Sequence, residues 1–426
     1  MLFTRIAPIC LLALLAFASV DTRSSERDLW NVKQNFNESQ GALGVIDSSH
    51  VYGITEFGGN NNIGSIFAVS RDTDGSWGYK VIHDFSGSDD GAFPESGPIA
   101  GPDGSLYGTT GSSLFAGGGV VYKLTPDGPH GEKGWHYTIL YTFPSTWFPG
   151  PIAWGPDGNL YGATLWNGSS STFGAIYQIN PREHRNYLSI KPLYIFQNGS
   201  DGAYPTSPNP DARGLVLDKA GNIYGTTYIG GPLGGGTIFK LSPPPAGGGI
   251  WTITNLHNFP SRVSSHWFPF GDLLLDAEGN IYGIFAAYGA DAQGEVYKLT
   301  RKGEYQVLFS FDGNGSKGLT PEGGLVWGPG GTLLGTTANG GDMSCGYFGC
   351  GLVYQLTPPS PASETQPWTE TVLHTFNACP YWGPSGSLAP ANNGEFFGVT
   401  QGSGDEGCIV GLGEIFSVTP DGAGKK

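Results

Sequence analysis

A short motif built around an aromatic residue and a glycine is repeated along the whole chain. Copies read "LYGTT", "LYGAT", "IYGTT" and "IYGIF". The position before the glycine is occupied in turn by Tyr52, Tyr107, Tyr161, Tyr224, Tyr282, Leu334 and Phe397. The copies lie 52 to 63 residues apart, and self-similarity of this period indicates stacked or radially arranged repeats. The motif is therefore interpreted as scaffold, and function is sought where the copies differ.

Each repeat contains four segments with strand character. In the fourth copy they read "RGLVLDKAG", "NIYGTTY", "GTIFKLS" and "IWTITNLHNF". The last segment alternates apolar and polar residues with the period of two that is expected of a strand. Four short strands in a repeat of this length predict the blade of a β-propeller.

The number of segments predicts seven blades and a way of closing the ring. The first three strand types occur seven times each, whereas the outer "W…F" strand follows a third strand only six times. Its seventh copy, "LWNVKQNF", lies at Leu29–Phe36. We therefore predict an all-β, seven-bladed β-propeller over residues 29–420, with four antiparallel strands per blade. The N-terminal outer strand is expected to pair with Glu414–Thr419 and complete the last blade, which leaves no open sheet edge.

The repeated residues receive structural roles. The tyrosine is predicted to pack between neighbouring sheets, the glycine to permit a close approach, and the threonines of "YGTT" to lie on an exposed pleat. Asp218 and Asp276 lie in Asp-x-x-Gly-Asn turns, and one such turn has too few oxygens for calcium. Structural packing is also predicted for residues at two repeated positions, His83, His257 and His374, and Trp77, Trp135, Trp251 and Trp368. No metal site and no cofactor is predicted.

The N-terminus has the features of a secretory signal peptide. The sequence "MLFTRIAPICLLALLAFASV" places Arg5 before an apolar run and an A-x-A cleavage signal at residues 16–18. We predict a signal peptide over residues 1–18, a linker over 19–28 and a short tail over 421–426. No second apolar stretch approaches transmembrane length. The expected product is a monomer that is secreted to the extracellular space or the periplasm, without a membrane span.

Charge and composition exclude two classes of partner. The 426-residue chain has a formal net charge of −15, whereas binding to nucleic acid or to an anionic membrane surface requires clustered Lys and Arg. The 71 glycines and 31 prolines accompany 13% aromatic residues. That aromatic content is typical of a folded protein with many turns, since a disordered chain lacks material for a core.

Four cysteines follow the predicted signal peptide, and they are expected to form disulfides. They are Cys345, Cys350, Cys379 and Cys408. An even number in an exported chain favours disulfides, and a Cys₄ zinc site is disfavoured because no C-x-x-C pair is present. The predicted pairs are Cys345–Cys350, within one loop, and Cys379–Cys408, between two loops that border the last blade.

The repeat resembles a known family. The segment "GNIYGTTYIGGPLGGGTIFKLS", the following "LHNF" and the "DGA(F/Y)P" of Asp90–Pro94 and Asp201–Pro205 are similar to the GloVer tandem repeat of secreted bacterial proteins. The resemblance covers essentially the whole mature chain. It implies export and a β-propeller, and it implies no reaction and no catalytic residues.

One face of the predicted propeller carries long, variable loops, and such loops are where binding sites usually lie. These loops combine carboxylates with aromatic side chains, which suits sugar rings that stack and hydrogen-bond. The predicted ligand-binding residues are Asp89, Asp90, Trp147, Phe148, Trp166, Asp201, Tyr204, Arg213, His266, Trp267 and Trp382. In the alternative interpretation, the acidic residues only solvate the surface and the aromatic residues only anchor the loops.

Three carboxylates are predicted near the mouth of the central channel. Asp272 replaces a small residue or proline at one repeated position of the first strand, and Glu95 and Glu322 lie two positions earlier in their own repeats. Paired carboxylates there could act as acid and base on a glycosidic bond. Asp272 could equally accept a hydrogen bond from a neighbouring backbone N–H.

The sequence favours binding over catalysis. It contains no G-x-S-x-G, no H-E-x-x-H and no phosphate-binding loop with lysine. We therefore expect a non-catalytic exported propeller whose acidic, aromatic loop face binds a glycan or a cell-surface protein. The alternative is a glycoside hydrolase or polysaccharide lyase that uses Asp272, Glu95 or Glu322.

Overall fold

The computed structural model describes most of the chain. The described residues are 27–30, 43–87, 89–111, 118–145, 147–167, 173–182, 189–205, 214–246, 248–261, 267–287, 294–311, 317–321, 323–343, 349–359, 367–376, 383–400 and 413–420. The predicted signal peptide, most of the linker and the tail lie outside them. Within the described part, no helix is long and apolar enough to cross a membrane.

The described strands form seven antiparallel sheets, as predicted, and they are numbered here as blades 1 to 7 in chain order. Blades 1 to 3 contain β2 (Gly44–Asp47), β3 (His50–Thr55), β4 (Ser65–Arg71) and β5 (Trp77–Asp84); β6 (Ile99–Ala100), β7 (Leu106–Thr109), β8 (Val120–Asp127) and β9 (Gly134–Thr142); and β10 (Trp147–Trp154), β11 (Leu160–Asn167), β12 (Ala175–Ile179) and β13 (Ile190–Ile195). Blades 4 and 5 contain β14 (Val216–Leu217), β15 (Ile223–Thr227), β16 (Gly234–Ser242) and β17 (Thr252–Pro260); and β18 (Trp267–Leu275), β19 (Ile281–Ala287), β20 (Glu295–Leu299) and β21 (Tyr305–Ser310).

Blades 6 and 7 depart slightly from the four-strand pattern. Blade 6 has its first strand in two pieces, β22 (Leu319–Pro321) and β23 (Val326–Trp327), followed by β24 (Leu333–Asn339), β25 (Leu352–Thr357) and β26 (Thr369–Thr375). Blade 7 has β27 (Pro384–Pro390), β28 (Phe396–Thr400) and β29 (Ile415–Val418), and its fourth strand is β1 (Arg27–Trp30).

Strand β1 lies at the outer edge of blade 7. It pairs antiparallel with β29, with Arg27 opposite Ser417 and Trp30 opposite Ile415. It begins two residues before the predicted segment, inside the predicted linker, and residues 31–42 lie outside the described part. The ring also closes through side chains, because Trp77 of blade 1 packs edge-on against Phe397 of blade 7 at 5.9 Å between ring centroids.

The glycine of the repeated motif leaves room for an aromatic ring, as predicted. In blade 2, a Cβ on Gly108 would overlap the ring of Tyr122 from the neighbouring strand β8. The same overlap with a third-strand ring would occur at the motif glycines of the other six blades, Gly53, Gly162, Gly225, Gly283, Gly335 and Gly398. The preceding aromatic side chains are buried between blades; Tyr107, for example, packs with Leu160 and Tyr177 of blade 3.

The prediction that the paired threonines lie on an exposed pleat is wrong. Thr109, Thr110 and Thr227 have no accessible surface. The hydroxyl of Thr109 donates a hydrogen bond to the carbonyl of Gly150 in the next blade at 3.0 Å. The hydroxyl of Thr110 accepts one from the backbone N–H of Val120 at 3.0 Å. Both sheet faces contact neighbouring blades, so these polar side chains are satisfied inside the joints.

The aspartates of the tight turns have structural partners. The Asp218 carboxylate accepts hydrogen bonds from the Asn222 side chain at 2.7 Å and the Tyr224 hydroxyl at 3.0 Å. Asp276 contacts Asn280 and Tyr282 in the same way. Both carboxylates therefore join a turn to the motif tyrosine above it, which agrees with the structural interpretation.

The repeated histidines also pack structurally. The His83 ring stacks on Tyr137 at 4.0 Å between centroids, and His257 stacks on Tyr305 at 4.5 Å. Burial lowers the pKa of His83 below its usual value, against the opposing effect of Asp90 nearby. Burial also lowers the pKa of His257.

First strands alternate in length around the ring. Blades 3, 5 and 7 begin with continuous strands of eight, nine and seven residues. Blades 2 and 4 have first strands of only two residues, and the first strand of blade 6 is split into pieces of three and two. We refer to these as long-strand and short-strand blades.

Candidate functional site: the mouth of the central channel

Strand directions define two faces of the propeller. Each first strand runs away from the loop that enters its blade, and each second strand returns towards it. The loops between second and third strands therefore lie on the same side as the blade-to-blade loops. We call this side the mouth face, and the side with the other turns the opposite face.

Asp272 joins several first strands beneath the mouth face. Its carboxylate accepts a hydrogen bond from the backbone N–H of Gly214 in blade 4 at 2.5 Å. The hydroxyl of Ser387 in blade 7 donates to it at 3.2 Å and accepts the N–H of Gly324 in blade 6 at 2.8 Å. Four consecutive blades therefore meet around one carboxylate.

In this network Asp272 accepts a hydrogen bond from a neighbouring backbone N–H. This is the structural role that the sequence left open as an alternative to catalysis. Burial raises the pKa of Asp272 above its usual value, and the hydrogen bonds from Gly214 and Ser387 oppose that effect. Both carboxylate oxygens have protein partners, so Asp272 and Ser387 form a polar network between the first strands.

A carboxylate pair lies at the joint between blades 1 and 2. Glu56 follows the second strand of blade 1, and Glu95 precedes the first strand of blade 2. The charge of Glu56 acts on Glu95. A Cβ on Gly111 would lie 2.5 Å from Oε1 of Glu95, so a glycine is needed there to make room for the carboxyl group.

Glu95 has an unusual protonation equilibrium. Burial, with the neighbouring charge of Glu56 acting in the same direction, raises the pKa of Glu95 to about 8. Among the described residues, no side chain or backbone group donates a hydrogen bond to it. At neutral pH this carboxyl group is therefore largely protonated, so it can donate a hydrogen bond or a proton.

Glu95→Gln should stabilise the protein at alkaline pH and leave its stability in acid nearly unchanged. At about pH 4 the carboxyl group is protonated in both folded and unfolded states. Between the unfolded pKa of about 4.3 and the folded value of about 8, only the folded state holds the proton, so stability falls as pH rises. Relative to the parent protein, we expect the variant to gain about 4 kcal/mol in free energy of unfolding between about pH 4 and about pH 8.

Urea unfolding at several pH values measures this difference. Glu278→Gln is the matched control, because Glu278 is exposed in a turn of the opposite face. The control should show a difference from the parent protein that does not vary with pH. A pH-independent difference for Glu95→Gln as well would show that its pKa is not raised.

Two aromatic residues belong to the same two loops as the carboxylate pair. Phe57 directly follows Glu56, and Phe93 lies two residues before Glu95. Their ring centroids are 5.5 Å apart, and both rings keep some accessible surface. Phe93 also accepts a backbone hydrogen bond from Gly111 at 2.7 Å. The joint therefore holds an acidic pair and an aromatic pair together.

Strained backbone positions Phe93 and its equivalents. A proline recurs at the three joints that lead into short-strand blades. The residue before it has positive φ at each joint: Phe93 (52°), Tyr204 (58°) and Thr320 (55°). A residue before proline is usually extended, and positive φ is costly for residues other than glycine. At two of these joints the turn brings aromatic rings together, and Tyr204 lies 6.1 Å from Phe173 between ring centroids.

Two predicted ligand-binding acids are engaged in turns. Asp201 is 9% exposed and accepts hydrogen bonds from the Tyr194 hydroxyl at 3.0 Å and the Gln197 N–H at 2.8 Å. Asp90 accepts the backbone N–H and the hydroxyl of Ser86. These contacts give both residues a structural role. Asp89, in contrast, is exposed.

The aromatic residues that were predicted to bind a ligand lie at several different joints. Trp147 is half-buried and stacks against Phe143 at 6.0 Å between ring centroids. Phe148 is also half-buried at the start of blade 3. The structure does not bring either residue to the Glu56–Glu95 pair, which lies one joint away.

Several predicted site residues lie outside the described part of the chain. They are Arg213, His266, Glu322 and Trp382, together with the side chains of Trp166 and Trp267. Among the cysteines, Cys345, Cys379 and Cys408 are likewise outside it, whereas Cys350 is buried with 2% exposure. The binding role of these residues and the disulfide pairs remain predictions.

Sequence reasoning did not single out Glu56, Phe57 and Phe93 as a group. Glu56 was only one of many acidic residues in the variable loops, and it lies 39 positions before Glu95 in the sequence. Comparing the repeats at the fourth position after the motif tyrosine gives a usable signal. That position holds Glu56 in blade 1 but Gly111, Leu165 and Tyr228 in the next three blades.

The repeat is that of a known family. The Gloeobacter/Verrucomicrobia repeat matches residues 29–209 and 136–348. The chain belongs to the Gloeobacter/Verrucomicrobia repeat family. No curated protein matches the chain.

Solved structures with low sequence identity share the architecture. An ancestral GH74 enzyme has 12% identity and a TM-score of 0.57, covering 91% of this chain and 48% of that one. A puromycin-hydrolyzing peptidase of Mycobacterium tuberculosis has 12% identity and a TM-score of 0.55, covering 93% and 53%. A PL25 ulvan lyase bound to -[GlcA(1-4)Rha3S]- has 10% identity and a TM-score of 0.54, covering 91% and 96%. At these identities the likeness concerns the fold alone.

Proposed function

We propose that this protein is an exported, non-catalytic β-propeller that binds a glycan or a glycan-bearing cell-surface partner at the mouth face. The observation that carries the proposal is the joint between blades 1 and 2. There, the charge of Glu56 acts on Glu95, and the rings of Phe57 and Phe93, which lie in the same two loops, contact each other. Carboxyl groups that bind hydroxyls, next to flat apolar rings that contact C–H faces, suit a sugar.

The protonation state of Glu95 favours an uncharged or hydroxyl-rich ligand. A protonated carboxyl group both donates and accepts hydrogen bonds, as sugar hydroxyls do. Glu56 and the net charge of −15 oppose the approach of a strongly anionic polymer. The preferred ligand class is therefore a neutral glycan.

The hydrogen bonds of Asp272 support a structural role for this carboxylate. Its two oxygens accept hydrogen bonds from Gly214 and Ser387, which join blade 5 to blades 4 and 7. The fold itself does not decide, because propellers include hydrolases, lyases and binding proteins.

A glycan-cleaving activity is the second candidate, and one observation favours it. Glu95 has a raised pKa of about 8, and Glu56 lies near enough to act on it electrostatically. A protonated and an ionised carboxyl group side by side are the groups that glycosidic cleavage requires. In that case Glu95 would be the acid and Glu56 the base or nucleophile.

A polysaccharide and glycan panel tests both candidates. Binding is measured by array and calorimetry, and cleavage by new reducing ends and unsaturated products. We expect saturable binding without turnover, weakened about tenfold or more by Glu95→Ala and unchanged by Glu278→Gln. Turnover that disappears in Glu95→Gln would establish the cleaving alternative. The proposal would be overturned if the neutral glycans of the panel showed no binding and no turnover.

Export and disulfides are part of the same proposal. They are supported by the apolar N-terminal run with its A-x-A signal, by the four later cysteines and by the burial of Cys350. An oxidising compartment would preserve disulfides in the loops of the last two blades. Peptide mapping without reduction would identify the pairs.

A further inference from the structure

Two histidines and an aspartate meet on the opposite face, at the joint between blades 1 and 2. Asp47 ends β2 and His50 begins β3, so both lie in the first turn of blade 1. His130 lies in the short turn Pro129–Gly131 between β8 and β9 of blade 2. Their ligand atoms all lie within 4.8 Å of one another.

The three side chains lie close enough to share one ion. Nδ1 of His50 lies 2.9 Å from Oδ1 and 3.1 Å from Oδ2 of Asp47. Nε2 of His130 lies 3.8 Å from Oδ2 of Asp47. The two imidazole rings stack with 3.8 Å between centroids and 6° between planes, so one imidazole would turn for both rings to bind the same ion, because a bound metal lies in the plane of an imidazole. All three side chains are only partly exposed.

Backbone constraints hold His130 in this position. Its φ of 50° lies in the left-handed region, which residues other than glycine adopt uncommonly. The backbone carbonyl of His130 accepts a hydrogen bond from the Tyr52 hydroxyl of blade 1 at 3.5 Å. Tyr52 is itself packed edge-on against Trp135 of blade 2. These contacts fix the turn Pro129–Gly131 to blade 1, where the imidazole of His130 stacks on His50.

The aspartate already accepts hydrogen bonds at this site. Its Oδ1 accepts the backbone N–H of Ser49 at 2.7 Å and lies 2.9 Å from Nδ1 of His50. A carboxylate with two imidazoles is the donor set that zinc and related divalent transition metals prefer. Calcium and magnesium prefer oxygen ligands alone.

We propose that Asp47, His50 and His130 bind one divalent transition-metal ion of the zinc class, with a fourth position open to water. The metal would replace the proton shared by His50 and Asp47 and would join blade 1 to blade 2. This site lies across the ring from the mouth face, so its test is independent of the proposed glycan binding. The sequence predicted no metal site, because His130 is 80 residues away from His50 and belongs to another blade.

Metal titration of untagged, chelator-treated full chain tests the site. We expect saturable Zn²⁺ binding with one ion per chain, a rise in thermal midpoint on adding Zn²⁺, and a Co²⁺ spectrum of four-coordinate type. Asp47→Asn and His130→Ala should each weaken binding about tenfold or more. His136→Ala is the matched control, because His136 is an exposed histidine of the same blade, and it should bind like the parent protein.

Two results would overturn the proposal. One is the absence of saturable Zn²⁺ binding by the folded, chelator-treated chain. The other is binding that is unchanged in both Asp47→Asn and His130→Ala, since the ion would then lie elsewhere. If His130→Ala fails to fold, His50→Gln replaces it, and circular dichroism of each metal-free variant confirms that the propeller is intact.

Discussion

Gly108→Ala is expected to lower the free energy of unfolding by about 3 kcal/mol, although it adds only one methyl group. The added Cβ would overlap the side chain of Tyr122, which has no accessible surface. The ring cannot move aside, because it packs against Tyr137 at 5.5 Å and Phe85 at 6.1 Å between centroids. The gain from replacing a strand glycine, at most about 1 kcal/mol, does not offset this overlap.

Chemical unfolding of the variant beside Gly78→Ala provides the comparison. Gly78 also lies in a strand, but a Cβ there would have its nearest neighbour at 3.8 Å. That control should be neutral or slightly stabilising. Equal stability of the two variants would show that the motif glycine is not required for packing of the third-strand ring.

Removal of the N-terminal residues through Phe36 is expected to have the second large effect. It deletes β1 and leaves β29 as an unpaired outer edge of blade 7. Each lost backbone hydrogen bond costs about 1 kcal/mol, and the ring loses the strand that joins its two ends, so a loss of about 3 kcal/mol or more is expected. The exposed edge should also promote aggregation.

A shorter deletion provides the control. Removal of residues 1–26 retains β1 and should leave the thermal midpoint of the mature protein unchanged. If the deletion through Phe36 melts at that same temperature, β1 does not close the ring, and the assignment of strands to blade 7 is wrong.

The repeated parts of the fold were predictable because each repeat has the same physical requirements. The motif tyrosine, the glycine beneath the third-strand ring and the aspartate of the tight turn recur wherever sheets pack face to face. The buried state of Thr109 and Thr110 was not predictable from one strand, since both faces of a blade are covered by its neighbours. An alternating pattern alone suggests one solvated face.

The candidate site was only partly predictable, because its residues come from different repeats. Glu95 and Asp272 were found by comparing repeat positions, since Asp272 replaces a small residue or proline and Glu95 lies two positions earlier in its own repeat. Their different environments depend on contacts across blades: Asp272 has partners in blades 4 and 7, whereas Glu95 has Glu56 as its charged neighbour. Such pairings depend on which residues of different blades the ring brings together. A comparison of repeats within one sequence does not show this.

The alternation of long-strand and short-strand blades has a consequence for binding stoichiometry. Two kinds of unit cannot alternate without interruption around a ring with an odd number of members, so the order must fail at least once. In the described part of the chain it fails at blade 1, whose first strand has four residues and which lies between long-strand blade 7 and short-strand blade 2. The three joints leading into short-strand blades also differ in sequence: where the first has Glu56, the other two have Leu165 and Ala286. The joint beside the interruption is thus the one of these three that has the acidic residue, and one ligand per chain is expected there.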